Sequence, residues 1–165
     1  QTTRHKLLGI KTLSLHQILF VDTPGIHLNE PKAINRYMNK NAKSVFRDVD
    51  VILFLLDRGK MRGDDHEVSR LFNQSKAKKI IVINKIDLLE NKNSLLPLLI
   101  GLQKEFPDVK LVPISAKKSS NLDELENVIC ETLPESPFYF DSEQVTDRSE
   151  RFFVSEIIRE KLMRQ

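Results

Sequence analysis

Ile80-Ile81-Val82-Ile83-Asn84-Lys85-Ile86-Asp87 decides how the rest of the chain is read. Four β-branched residues in a row suit a strand covered on both faces, since a strand with one wet face would alternate. The run then stops abruptly at an amide, an ammonium and a carboxylate within four positions. In open α/β sheets the side chains that carry chemistry gather beyond the carboxyl ends of the strands, which is where this tetrad falls.

Three other segments have the same form, an apolar strand running into polar turn residues. Gln17–Val21 precedes Asp22-Thr23-Pro24-Gly25, Val51–Leu56 precedes Asp57-Arg58-Gly59, and Leu111–Ile114 precedes Ser115. Leu7–Leu15 reads as a further strand, antiparallel to the Gln17 strand because so little chain separates them. Helical stretches lie between. Pro31–Phe46 opens on a proline suited to a first helical turn. Asp64–Asn73 begins with two acids, favourable at a helix N-terminus. Ser94–Phe106 sets Leu95, Leu98, Leu99 and Leu102 on one stripe. Asn121–Leu133 opens with Asn121 and Glu124 at capping-box spacing, and Leu122, Leu125, Val128, Ile129 and Leu133 form its apolar face. Strand and helix in alternation mean an α/β domain with a mainly parallel sheet, in three layers.

After Leu133 the texture changes. Pro134-Glu135-Ser136-Pro137 breaks the helix, and Phe138–Thr146 has no periodicity, as in a linker. Arg151–Arg164 is a new helix with Val154, Ile157, Ile158 and Leu162 at helical spacing. The expected organisation is one domain over 1–134, a linker over 135–148 and the start of a second domain over 149–165.

The polar strand ends supply specific chemistry. A carboxylate at Asp87 accepts two hydrogen bonds from the N1–H and 2-amino group of guanine, a pair that adenine lacks. Asn84 can bridge the other edge of the base to a neighbouring loop, and the Lys85 stem can lie along the ring. A plain polar strand-to-helix loop is the competing reading. After Ile114, Ser115 can prop up the Asp87 loop while the backbone N–H of Ala116, followed by Lys117, meets the guanine O6. Asp22 can hold Mg²⁺, usually through water, and Gly25 lets a backbone N–H approach a terminal phosphate. As a bare turn, Asp22-Thr23-Pro24-Gly25 would be equally ordinary.

Composition narrows the field without choosing within it. Of 165 residues, 40% are hydrophobic and 30% charged, with a net charge of +3. The sequence pI near 9.0 permits an anionic partner such as RNA without requiring one. A single cysteine, Cys130, excludes a disulfide framework and any multi-cysteine metal site, and suits a reducing cytoplasm. On its helix Cys130 reads as a core filler. No apolar run is long enough to span a membrane. His5, His16, His27 and His66 have no ligand spacing, although His27 lies next to the Gly25 turn.

Taken in order, the three strand-end strings match the third, fourth and fifth signatures of translation-factor-type GTPases, and Gln1-Thr2-Thr3-Arg4 resembles the second, with Thr3 the better Mg²⁺ ligand and Thr2 the next. Within that group the chain resembles the Era family, through QTTRH at 1–5, VDTPGIH at 21–27, KAINRYMNKNAKS at 32–44, VPISAK at 112–117 and, above all, TDRSERFFVSEIIREKLM at 146–163. The resemblance implies a P-loop-type GTPase domain followed by a KH domain, whose first helix would be 149–165. It implies GTP and GDP with Mg²⁺, held by Asp22 and Thr3. Thr3 and Gly25 would serve hydrolysis, and Asp22, Thr23, Pro24, Gly25, Asn84, Lys85, Asp87, Ser115, Ala116 and Lys117 would bind nucleotide. Its implied partners are small-subunit (16S) ribosomal RNA and the small ribosomal subunit in ribosome assembly. The implied place is the cytoplasm, with loose peripheral membrane contact, and no DNA partner is expected.

Two features depart from the full pattern. None of the five glycines opens a G-x-x-x-x-G-K-[ST] string, so the first strand and phosphate loop of such a domain are not among these residues, nor is the G-x-x-G loop of a KH domain. Residues 1–165 by themselves are therefore expected to fold poorly and to bind GDP negligibly. Ile26 stands where many GTPases place a water-orienting Gln, so hydrolysis is expected to be slow. Two rival readings remain: a related GTPase of ribosome or tRNA maturation, against which the 146–163 string argues, and a nonenzymatic scaffold or RNA-contact piece. On that last point Arg159, Lys161 and Arg164 could face RNA or only solvent.

Overall fold

The computed structural model describes residues 7–22, 48–59, 65–89 and 94–163. The expected helix over Pro31–Phe46 lies outside them. Two compact units emerge, one of 7–22 with 136–163, the other of 48–135.

In the larger unit three strands, β3 (Val51–Asp57), β4 (Lys78–Asn84) and β5 (Lys110–Pro113), form a parallel sheet in the order β3-β4-β5. The central position of β4 accounts for its sequence: Ile80, Ile81, Val82 and Ile83 are all buried, so both faces are covered as the unbroken apolar run requires. On one face Ile81 and Ile83 join Ile52, Phe54 and Leu56 of β3 with Phe72, Leu102 and Phe106 in the main core. Phe72 is fully buried between Phe54, at 5.4 Å between ring centroids, and Phe106, edge-on at 6.1 Å. Strand β3 itself alternates, and Leu55 is exposed.

The crossover helices are α1 (Asp65–Gln74), α2 (Leu95–Glu105) and α3 (Leu122–Thr132). Helix α1 brings Phe72 to the core. The leucine stripe of α2 packs as expected: Leu102 is buried, Leu98 and Leu99 lie on the core, and Leu96 and Ile100 on the opposite side are exposed. Helix α3 buries Ile129. Its start differs from the capping-box expectation. Asn121 is left-handed (φ 59°) and makes no side-chain cap. Its amide donates instead to the Pro113 carbonyl at 2.9 Å, because the chain must turn back from β5 before the helix begins.

The smaller unit is built on an antiparallel hairpin of β1 (Leu7–Thr12) and β2 (Gln17–Asp22), with Leu7 opposite Asp22 and Thr12 opposite Gln17. Strand β1 ends three residues earlier than the expected Leu7–Leu15, since the chain needs residues 13–16 to reverse. Leu13 N–H donates to the His16 carbonyl at 2.7 Å, and Leu15 is exposed at the tip. The aperiodic stretch before the last helix runs along this hairpin. Gln17 holds one end: its Oε1 accepts from the N–H groups of Tyr139 (2.9 Å) and Phe140 (3.0 Å), and its Nε2 donates to the Phe140 carbonyl (2.8 Å) and Thr12 Oγ1 (3.0 Å). At the other end Ile10 N–H donates to the Val145 carbonyl (2.9 Å) and Thr146 Oγ1 donates to the Leu8 carbonyl (2.7 Å). Helix α4 (Glu150–Met163) follows, with Val154, Ile157, Ile158 and Leu162 all more than half exposed. Among the described residues no helix is long and apolar enough to cross a membrane.

Candidate functional site

Parallel pairing places the ends of β3, β4 and β5 side by side. Asp57 stands beside Asn84, and Ile83 beside Pro113. Beyond Asn84 the chain turns sharply because Lys85 is left-handed (φ 64°, ψ 35°), and a single 3-10 turn, Ile86–Leu88, then presents Asp87. Asn84 Oδ1 fixes this exit, accepting from Lys85 N–H at 2.7 Å and from Ala116 N–H at 3.1 Å. One side-chain oxygen thus ties the end of β4 to the loop after β5. The loop side of the bridge read from the sequence is present.

Ser115 supplies the second tie. Its hydroxyl donates to Asp87 Oδ1 at 2.5 Å and accepts from Lys118 N–H at 3.2 Å. Ser115 is only 1% exposed, so this hydroxyl is a fixed part of the loop. Reciprocal backbone bonds with Ser120 (3.1 and 3.0 Å) close the Ser115–Ser120 loop, with Lys117 exposed on it. Ile86 N–H donates to the Ile114 carbonyl (3.2 Å), joining the two strand ends a third time.

The Ser115 hydrogen bond is the main reason that the Asp87 carboxyl lies below its ordinary value. Partial burial opposes it, while the Asp87 backbone N–H and the positive charges of Lys118 and Lys117 add to it. Asp87 is therefore an ionised acceptor at neutral pH, the state needed to receive two N–H donors from one ligand edge.

Asp57, ordinary turn chemistry by its sequence alone, belongs to the same cluster. Its Oδ2 receives the Lys85 ammonium at 3.0 Å and its Oδ1 the Arg58 Nε at 3.2 Å. The hydrogen bond from Lys85 leads in holding the Asp57 carboxyl below its ordinary value, against partial desolvation, with the charges of Lys85 and Arg58 assisting. The turn is built to keep it there: Arg58 N–H donates to the Asn84 carbonyl (2.9 Å), and Arg58 and Gly59 both have positive φ, 52° and 66°. An acid at a strand end, one strand from the Asn84 tetrad, is the signal that could have identified it.

Asn84, Lys85, Asp87, Ser115, Ala116 and Lys117 thus converge at one sheet edge. Asp22 is the last residue of β2, in the other unit. Thr3, Thr23, Pro24 and Gly25 lie outside the described residues, as do Ile26 and His27. Among the described residues no group of three or more His, Cys, Asp or Glu could cage a metal. Mg²⁺ does not need such a cage, since it is usually bound through one or two carboxylates, waters and substrate phosphates. A hard carboxylate at a strand end, as at Asp22, fits that mode.

A family model described as "50S ribosome-binding GTPase" matches residues 1–85, just over half of the chain. The chain belongs to that family. It is 46% identical over its whole length to GTPase Era of Pseudomonas fluorescens, spanning 55% of that protein. The fold is similar to that of a crystal structure of Era in complex with MgGDPNP and nucleotides 1506–1542 of 16S ribosomal RNA (TM-score 0.88, 40% identity). It is similar too to a single-residue variant of Aquifex aeolicus Era bound to GDP and AlF₄⁻ (TM-score 0.87, 39% identity). Each match covers 98% of this chain and 55% of the other. The likeness to Era and the P-loop-type α/β GTPase fold expected from the sequence both hold, and the chain spans about half the length of the relatives it matches.

Proposed function

We propose that the protein binds guanine nucleotide and hydrolyses GTP, and that its nucleotide state governs binding to small-subunit ribosomal RNA during ribosome assembly. The observation that carries the nucleotide half is the pre-tied loop pair: Asn84 bound to Ala116 N–H, and Asp87 bound by buried Ser115. In this reading Asp87 accepts the guanine N1–H and 2-amino hydrogens. Asn84 and Ala116 face the opposite edge with Lys117 beside them, and Lys85 lies along the ring. Because loop–loop bonds already hold these groups, little ordering remains to be done when the base arrives.

Asp22, with Thr3, would hold Mg²⁺, which when bound screens the charge that collects on the transferring phosphoryl group. Thr23, Pro24 and Gly25 follow Asp22 and would face the terminal phosphate. Ile26 offers no polar atom to orient water, so unassisted hydrolysis is slow. The RNA half rests on the solved Era complex that includes a 16S ribosomal RNA fragment, together with the overall likeness. Residues 149–165 would open an RNA-binding KH domain, and the cytoplasm is the proposed location.

Asp87→Asn tests the base assignment in the full-length protein. Asn cannot accept both guanine hydrogens, but its amide can donate to the 2-oxo group of xanthine. GDP should weaken at least about tenfold, with xanthosine diphosphate gaining. Unchanged GDP affinity in a competition titration refutes the assignment.

A further inference from the structure

We propose that Asp57 is a specificity-determining positioning residue of the guanine site: it holds the Lys85 ammonium across the sheet, laying the Lys85 stem over the base and keeping the cation off Asp87. This rests on the reading of Asn84, Lys85 and Asp87 as the base-binding set.

Geometry carries the inference. Lys85 and Asp87 are two residues apart on a tight turn, and a Lys side chain has enough rotatable bonds to fold onto a nearby carboxylate. A Lys85–Asp87 pair would occupy the acceptor that guanine needs. In the structure the ammonium lies instead on Asp57 Oδ2, one strand away. Asp57 is the register partner of Asn84, and Arg58 N–H bonds the Asn84 carbonyl, so the distance between the two strand ends is set by the sheet. Arg58 takes Oδ1, which orients the carboxylate with Oδ2 toward Lys85. The backbone at Lys85 is left-handed, a conformation rarely adopted by a non-glycine residue, at the sharp turn into the 3-10 segment that carries Asp87. The Asp57 side chain is 24% exposed and that of Lys85 51%. The pair is therefore modest in strength.

The test is a double-mutant cycle on GDP affinity in the full-length protein, with inosine diphosphate, which lacks the 2-amino group, as second ligand. Asp57→Ala should weaken GDP about 2–5-fold, the upper part of the range for an ion pair of this exposure. The GDP-over-IDP preference should fall with it, as Lys85 swings onto Asp87. In a Lys85→Ala background the same substitution should cost less than about twofold. Asp57→Asn, which keeps the shape, should also weaken GDP, and Asp57→Glu should recover part of the loss. An equal loss in both backgrounds, or an unchanged GDP-over-IDP ratio, means that Asp57 only supports the turn and overturns the proposal. Asp87→Asn separates the two levels. If it weakens GDP while Asp57→Ala does not, only the role of Asp57 fails. If neither changes GDP binding, the base-site reading falls and this inference with it.

Discussion

Gly59→Ala should destabilise the larger unit by about 1–2.5 kcal/mol, and the size of the effect can be worked from the structure. Gly59 has φ +66°, where a side chain costs roughly 1–2 kcal/mol whatever space surrounds it. The space is also taken. A Cβ built at Gly59 would lie 2.5, 2.7 and 2.9 Å from Cδ2, Cδ1 and Cγ of Leu98. Leu98 packs on the main core, so it must rotate and lose part of that packing, at the low end of the ~1–3 kcal/mol typical of overpacking. Against this, replacing glycine restricts the unfolded chain and returns about 0.4–1 kcal/mol. Urea unfolding of the full-length protein followed by circular dichroism measures the net change, and Leu98→Ala resolves its parts. With Leu98 truncated the steric share vanishes and only the backbone share remains, so Gly59→Ala should cost about 1 kcal/mol less in the Leu98→Ala background. A Gly59→Ala protein within 0.5 kcal/mol of wild type would refute both the left-handed turn and the Leu98 contact as constraints. A deficit of the same size in both backgrounds would refute the contact alone.

Ser115→Ala should raise the Asp87 carboxyl toward its ordinary value of 3.8, since the Ser115 hydroxyl is the largest influence holding it down. A carbon-13 NMR titration with unchanged Asp87 midpoint counts against the bond. A lowered folded-state value means that the bond stabilises the native state fully above pH 3.8 and is lost as pH falls through the lower value. The stability gap between wild type and Ser115→Ala should therefore narrow on acidification below that point. Gln17→Ala removes four hydrogen bonds holding Tyr139, Phe140 and Thr12. The three to Tyr139 and Phe140, at the low end of ~0.5–1.5 kcal/mol each, are worth ~1.5 kcal/mol of local opening, or roughly 10-fold faster chymotryptic cleavage near Tyr139. An unchanged cleavage rate would show that Thr146 and Val145 hold the segment unaided.

Local patterns made most of the larger unit legible. The Ile80–Ile83 run and the α2 leucine stripe each carry their information within about a dozen residues, and both correspond to what is observed. Asn84 and Ser115 could be assigned bridging roles because each sits where two neighbouring parallel strands end, a juxtaposition that the fold class itself supplies. Asp57 escaped because its partner lies 28 residues away, and an Asp-Arg-Gly string is ordinary turn composition. Its role depends on register, which only a sheet fixes. Residues 138–146 escaped for the same reason. Their hold comes from Gln17 and Leu8, over 120 positions earlier, and aperiodic sequence gives no hint of a backbone that pairs with side chains. The Asn121 cap was misjudged by a nearer competitor. The spacing suited a capping box, but the Pro113 carbonyl offered the same amide a partner.

On the proposed base-binding role, the placement of the cross-links would let this sheet edge discriminate between ligands as well as attract them. Asn84 and Ser115 stand at the ends of adjacent strands, and each reaches into the loop of the other: Asn84 to Ala116 N–H, Ser115 to Asp87. Displacing either loop alone would break a bond in both, so the donors and acceptors facing a ligand move together or not at all. Ser115 is buried while Lys117 and Asp87 remain reachable, which divides the loop into a rigid base and a recognising rim. A flexible carboxylate could turn toward whatever donors a ligand presents. One pinned through Oδ1 to a buried hydroxyl offers its acceptor sites in a fixed direction, and a ligand with a mismatched edge leaves them unpaired. Rejection of the wrong base then follows from the same bonds that hold the loops, and it is most vulnerable at Ser115, a residue that touches no base in this reading.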